Sequence, residues 1–245
     1  MMGKVIMSGI VPPLVAPISG ILASDLSVGS SVYLMEGGAA VEYLVVNQGK
    51  PSGSSLYDDS CNGMWVLRKD IYEKRQWHSS NSNSYKASTI HSYLNSTFLN
   101  LFNADIQTVI KEVKIPYVNG TANSAVASGA NGLDAKIFLL SGYEVGFTQS
   151  EASNFPIDGA KLDYFVSGND STVQAKRIAN LNGSVTSWWL RSPYTGKSDL
   201  TWIVNLSGNS GANDCSYSSY GIRPALILPP NALFDTNTML LKGVA

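Results

Sequence analysis

Along residues 26–48 the apolar positions recur every second residue. Val41, Tyr43 and Val45 alternate with Glu42 and Leu44, and the preceding S-V-Y-L-M run is set off by Glu36, Gly37 and Gly38, so the pattern predicts a hairpin with one half-buried face. A loop rich in Ser, Gly and Asp follows, and then Met64–Arg68 reads as a further short strand. From residue 88 the period lengthens to that of a helix. Ser88 is placed to cap a helix whose apolar face is Ile90, Tyr93, Leu94, Phe98 and Leu101. Asn103 is placed to cap a second one, with Asp105 in its first turn, Ile106, Val109, Ile110 and Val113 as its stripe, and Pro116 just past its end. Residues 134–140 predict a compact buried strand and residues 239–241 a last one. Residues 117–133 and 149–173 read as long irregular loops, the second pinned by Phe155, Tyr164 and Phe165, while 176–181 is too short to assign. These elements predict an α+β domain of small twisted antiparallel sheets, two helices and long irregular loops.

The region 187–230 differs from the rest. It opens on Trp188, Trp189, Leu190, Arg191, Ser192 and Pro193, and it closes on Gly221, Ile222, Arg223 and Pro224 followed by an apolar run. Between these ends, Tyr, Ser, Gly and Asn fill 15 of the 27 positions 194–220, against 86 of 245 in the whole chain. Loop-built binding surfaces use this composition, because Tyr brings rigid contact area and Ser, Gly and Asn adapt their hydrogen bonds. A loop-rich β protein with no ligand reads the same way. Arg191 and Arg223 sit among apolar residues, where a guanidinium needs a carboxylate or several carbonyls; both are expected to brace the base of the loops. Adjacent strand residues face opposite sides, so at least one of Trp188 and Trp189 is expected in the core. Trp202 is open to either assignment.

Charge narrows the partners. Lys and Arg number 17 and Asp and Glu 18, a balance that speaks against nucleic acid or an anionic membrane. No apolar run approaches the roughly 20 residues of a membrane span. Residues 1–24 are apolar but broken by Pro12, Pro13 and Pro17, unlike a signal peptide, and are expected to dock on the domain or on a partner subunit. The chain thus divides into a segment 1–24 and a domain 25–245.

The chemistry is sparse. Cys61 and Cys215 are too far apart for a metal or redox motif and are expected to be free and mostly buried. His91 lies off the apolar stripe of the first helix, as a surface or capping residue does, and His78 lies in a loop. No H-E-x-x-H, G-x-S-x-G or phosphate-cradling glycine loop is present. Asp58, Asp59, Asp199 and Asp214 carry no calcium-loop spacing. No catalytic residue, metal or cofactor is expected.

W-W-L-R-S-P at 188–193, W-I-V-N at 202–205 and G-I-R-P-A-L at 221–226 resemble the C-terminal half of a C-type lectin-fold domain found in phage and prophage proteins of gut bacteria. A-V-E-Y-L-V-V-N-Q-G, M-W-V-L-R-K-D-I-Y, S-T-I-H-S-Y-L-N-S-T-F-L and K-I-F-L-L-S-G-Y-E-V-G resemble the rest of it, so the likeness covers about 26–230. The resemblance implies a C-type lectin-like fold and a receptor-binding role, as in the tail adhesin of a phage, with a bacterial surface protein or glycan as ligand. In such proteins the region between the tryptophans and the Arg-Pro motif is in some cases rewritten by a diversity-generating retroelement acting at adenines. The residues it would place on the binding face are Tyr194, Lys197, Asp199, Thr201, Asn205, Ser207, Asn209, Ser210, Asn213, Ser216, Tyr217, Ser219 and Tyr220. It further implies a homotrimer joined through residues 1–24, made in the bacterial cytoplasm and carried on the virion. Two alternatives stand beside it. The formylglycine-generating enzymes share the fold, but they work with cysteines and metal, and this chain lacks their paired cysteines. A structural virion protein without a ligand is the other.

Overall fold

The computed structural model describes residues 20–51, 54–120, 125–168 and 170–245. Most of the expected segment 1–24 lies outside these residues. Its last five, 20–24, belong to the folded unit: β1 (Ile21–Leu22) pairs with a strand near the C-terminus, and Ala23 is fully buried.

The hairpin expected from alternation is present as β2 (Ser31–Glu36) and β3 (Ala39–Gln48), turned by Gly37 and Gly38, both with positive φ. β4 (Met64–Arg68) pairs along β3 and is buried on both faces, which is why its sequence runs apolar rather than alternating. Gly63, just before it, is there because there is no room for more: a Cβ would lie 2.4 Å from the Leu228 carbonyl oxygen. Gly63→Ala is expected to destabilise the domain by about 1–3 kcal/mol, read from urea unfolding.

β5 (Glu73–Lys74) leads to α1 (Thr89–Tyr93), which Ser88 caps as expected by accepting from the His91 N–H. α1 continues as a π turn (Leu94–Phe98) and a tighter turn (Leu99–Leu101). α2 (Ala104–Val109) is capped by Asn103, whose side chain accepts from the Ile106 N–H. The expected stripe overran this helix. Ile110 already has extended backbone, and Val113 belongs to β6 (Val113–Ile115), where V-K-I has a period of two.

Residues 117–140 hold more structure than a loop and one strand: β7 (Tyr117–Val118), β8 (Val126–Ala127), β9 (Leu133–Ala135) and β10 (Ile137–Phe138), the last two in different sheets. Asn95 holds β10 to the helix, accepting from the Lys136 and Ile137 N–H groups and donating to the Ile137 carbonyl. α3 (Ser171–Arg177) begins inside the expected loop 149–173 and runs into the unassigned 176–181; it is capped by Asp170 and ends on Lys176 and Arg177. It is followed by the tight hairpin β11 (Asn180–Leu181) and β12 (Ser184–Val185), turned at Asn182-Gly183 with positive φ at both.

The remaining strands are β13 (Trp188–Pro193), β14 (Leu200–Val204), β15 (Ser210–Asp214), β16 (Gly221–Ile222), β17 (Ala225–Leu228), β18 (Ala232–Phe234) and β19 (Leu241–Val244). The last strand starts at Leu241, the final residue of the expected 239–241, because Met239 takes a positive φ and turns the chain.

Two five-stranded sheets dominate, ordered β10-β17-β4-β3-β2 and β15-β14-β13-β16-β5. All pairings are antiparallel except β13 with β16 and an isolated bridge from Tyr33 to Leu240. Two strand pairs pass from one sheet to the other together: β4 to β5, and β16 to β17. Arg223-Pro224 forms this corner, with the Arg223 Nε donating to the Arg68 carbonyl and the Arg68 N–H to the Pro224 carbonyl. Proline fits there, since its missing N–H is asked for by no ladder. Trp188 and Trp189 are both fully buried, because both faces of β13 are covered. Their indole N–H groups donate to the Arg177 and Arg75 carbonyls respectively. The observed class is α+β, mostly small antiparallel sheets with few helices, and no helix of the described residues is long and apolar enough to cross a membrane.

Candidate functional site

β14 and β15 form a hairpin that leaves β13 at the end of the second sheet, and its base is a buried polar cluster. Arg191 pairs with Glu144 through two bonds, 2.5 Å from Nη1 to Oε2 and 2.6 Å from Nη2 to Oε1, with both side chains fully buried. Its remaining donors reach the carbonyls of Pro116, Leu139 and Asp158. The bracing role expected of Arg191 is therefore met by a carboxylate and three carbonyls. Arg223 is braced more thinly: beyond the Arg68 carbonyl it lies over the Trp188 ring at 5.1 Å, its Nη1 has no partner, and burial pulls its pKa down to about 10. Beside Arg191, Ser192 Oγ donates to the carboxylate of Asp158, 2.9 Å from each oxygen. Burial pushes the Asp158 carboxyl up to about 7, against the pull of Arg191 and Ser192. Tyr57 adds its hydroxyl to Glu144 at 2.8 Å.

Two asparagines outside the expected region tie down the loop 194–199. Asn83 Nδ2 donates to the carbonyls of Tyr194, Lys197 and Leu200, and Asn154 Nδ2 to that of Thr195. From the protein interior a stack of planar groups runs out to this loop: the Arg177 guanidinium on Phe147 (4.1 Å), Phe147 on Phe155 (5.6 Å), Phe155 on Trp202 (3.8 Å) and Trp202 on Tyr194 (5.0 Å). Trp202, open to either assignment in the sequence, is a buried link of this stack.

On the other face of the strands Tyr220 packs edge-on to Trp189 at 4.9 Å and accepts from Asn213 Nδ2 at 2.7 Å. Tyr217 leans on Tyr220 with ring centroids 4.9 Å apart and is itself 45% exposed. At the far end, Asn205 Oδ1 closes the β14–β15 turn by accepting from the Ser207 and Asn209 N–H groups. Gly208 has positive φ and lies against the Gln174 carbonyl, so the turn rests on α3.

The expected binding residues therefore divide. Lys197, Ser207, Ser216, Tyr217 and Ser219 are exposed, and Tyr194, Asp199, Asn205, Asn209, Ser210, Asn213 and Tyr220 are half-buried. Thr201 is corrected to the interior: it is fully buried and its hydroxyl donates to the Ser192 carbonyl. The alternation of β14 and β15 sets the Tyr194 cluster and the Tyr217–Tyr220 cluster on opposite faces, which meet at the edge strand β15. Leu206, 58% exposed at the turn, lies outside the expected polar and tyrosine positions; a lone apolar residue in a polar turn is its signal.

Other candidate chemistry stays apart. Cys61 and Cys215 are free and buried, and burial pushes each thiol up to about 12, away from the thiolate a nucleophile needs. His91 is half-buried against Tyr85, with ring centroids 5.2 Å apart, and burial pulls it down to about 4, so it is a neutral packing residue rather than a surface one. Among the described residues, no three His, Cys, Asp or Glu side chains converge on a point where they could hold a metal.

A family model described as a domain of unknown function (DUF6273) matches residues 62–230, which include the whole of 194–220 and the cluster at its base except Tyr57. No curated protein matches the chain, and no solved structure does.

Proposed function

The chain belongs to the DUF6273 family, and from that membership, whose description names no activity, we propose a ligand-binding domain that recognises a partner on a bacterial surface. The observation that carries it is the Tyr217–Tyr220 pair, in the segment between β15 and β16: the exposed ring of Tyr217 leans on Tyr220, which Trp189 and Asn213 already hold in place. Preordered tyrosines lose little entropy on binding, which is what makes such a surface useful. The finer reading extends this in the direction of the resemblance: a C-type lectin-like fold, a phage or prophage tail adhesin, a homotrimer carried on the virion, and a region 194–220 open to retroelement diversification. Support for diversification would be a near-copy of the DNA encoding 194–220 that differs at adenines beside a reverse transcriptase.

The test is binding of the full chain to bacterial cells and to a glycan array, with Tyr217→Ala and Tyr220→Ala. Tyr217→Ala is expected to leave stability within about 1 kcal/mol, because nearly half of the side chain is in water already, and to weaken binding at least tenfold. Binding that survives both changes removes this surface as the site.

A further inference from the structure

β15 is the outer strand of its sheet, bonded on one side to β14 and on the other to no strand of the described residues. Its register shows which of its main-chain groups are free. The Cys215 N–H donates to the Asp199 carbonyl and the Asn205 N–H to the Asn209 carbonyl, so positions 209, 211, 213 and 215 bond inward to β14, and Ser210, Ala212 and Asp214 point their N–H and C=O groups outward. Asp214 uses its own outward groups locally, donating to Asn213 Oδ1 and accepting from the Tyr217 N–H. Ser210 and Ala212 have no such partners, which leaves two donors and two acceptors in a row, about 7 Å from one residue to the other. Most of the usual guards of an edge are absent here: S-G-A-N-D has no proline, no lysine and no bulge against β14, and its one charge, Asp214, stands at the end of the strand.

The surroundings of this edge are asymmetric. Gly211 and Ala212 add almost no side chain, so Ile203 and Trp202 lie directly behind them. Leu206 and Tyr217, two of the most exposed large apolar residues, bracket the strand. At the Tyr217 end, Asp199 and Asp214 both act on Cys215, and neither has an ion-pair partner among the described residues.

We propose that β15 is a strand-addition site, which takes up an extended peptide segment of a protein partner as a sixth strand, with apolar side chains beside Leu206 and Tyr217 and a Lys or Arg beside Asp199 and Asp214. Main-chain bonds to Ser210 and Ala212 supply attachment, and the flanking side chains supply selectivity. This rests on the binding role proposed for the same region and assigns its ligand to protein rather than glycan.

Ala212→Pro removes an outward N–H that the internal ladder does not use, a position where an edge strand tolerates proline. A displayed library of random seven-residue peptides is panned on the full chain. Selected peptides are expected to carry a basic residue and to lose at least tenfold in affinity on Ala212→Pro in a variant whose circular dichroism matches the parent. N-methylation of alternate peptide amides, tested on the unaltered protein, is expected to cause the same loss and needs no variant to fold. The inference is overturned by an empty selection, or by peptides indifferent to both changes. It is overturned equally if the edge is taken by a second copy of the chain, seen as concentration-dependent dimerisation that Ala212→Pro abolishes. Cell binding that Tyr217→Ala and Tyr220→Ala abolish but Ala212→Pro spares would sink strand addition alone and leave the binding role in place.

Discussion

Glu144→Gln is expected to cost about 3–5 kcal/mol of folding stability, the largest loss from any single isosteric change in the domain. Glu144 and Arg191 lie wholly out of water, where each charge is tolerable only because the other is within 2.6 Å. Glutamine keeps the shape but removes the negative charge and sets an amide donor against a guanidinium that can only donate. Arg191 is then a buried cation held by three carbonyls. The same carboxylate also accepts from the Tyr57 hydroxyl and from the Ser141 N–H, so one substitution disturbs four hydrogen bonds to three residues. Against a typical domain stability of about 5–15 kcal/mol, this removes a large part of the total. Urea unfolding of both proteins measures it, and a loss below about 1 kcal/mol would mean that the pair is not the brace described here. Arg191→Met alone does not substitute for this test, because it orphans Glu144 instead.

Local features were legible in the sequence and distant pairings were not. The Gly37-Gly38 hairpin and the Ser88 and Asn103 caps could be read because each is decided by neighbours a few residues away. The Asn182-Gly183 turn carries an equally local signal, but the strands it joins are too short to show a period of their own. Val113 was misassigned because β-branched residues satisfy a helical stripe as well as a strand; what decided it was pairing with Ala135, which no local rule contains. For the site, the need of Arg191 for a carboxylate could be read from its apolar neighbours, but Glu144, 47 positions away, could not be identified as the answer. The same holds for Asn83 and Asn154, polar loop residues whose importance appears only once the loop 194–199 lies against them. Thr201 shows the converse error. The resemblance placed it on the binding face, whereas its place between Trp202 and the Ser192 carbonyl makes it scaffold.

The stability difference between Asp158→Asn and the parent is expected to grow as pH rises from about 4 to about 7; His91, pulled down to about 4, adds stability over the same window in both proteins alike, so the Asp158 effect is read from the difference. Asp158 is fully buried, and burial lifts its carboxyl from the ordinary 3.8 to about 7. Within this window the folded protein keeps a proton that the unfolded chain has released. At Asp158 the folded state therefore holds a proton that the unfolded state lacks, and each pH unit removes about 1.4 kcal/mol of this group's contribution, on the order of 4 kcal/mol in all, with no further change from it above about 7. Asparagine has no proton to lose, and its Oδ1 still accepts from Ser192, so the variant should match the parent within about 1 kcal/mol at pH 5 and exceed it by about 2–4 kcal/mol at pH 8. Glu144 continues to neutralise Arg191 in the variant, which keeps the two effects separable. Urea unfolding at the two pH values decides the matter: a variant less stable than the parent at pH 8 would mean that the ionised carboxylate is a net partner of Arg191. With the expected sign, the cost of ionising Asp158 falls on the contacts that seat Ser192 and Arg191, so the base of the 194–220 hairpin is held most firmly on the acidic side of neutrality.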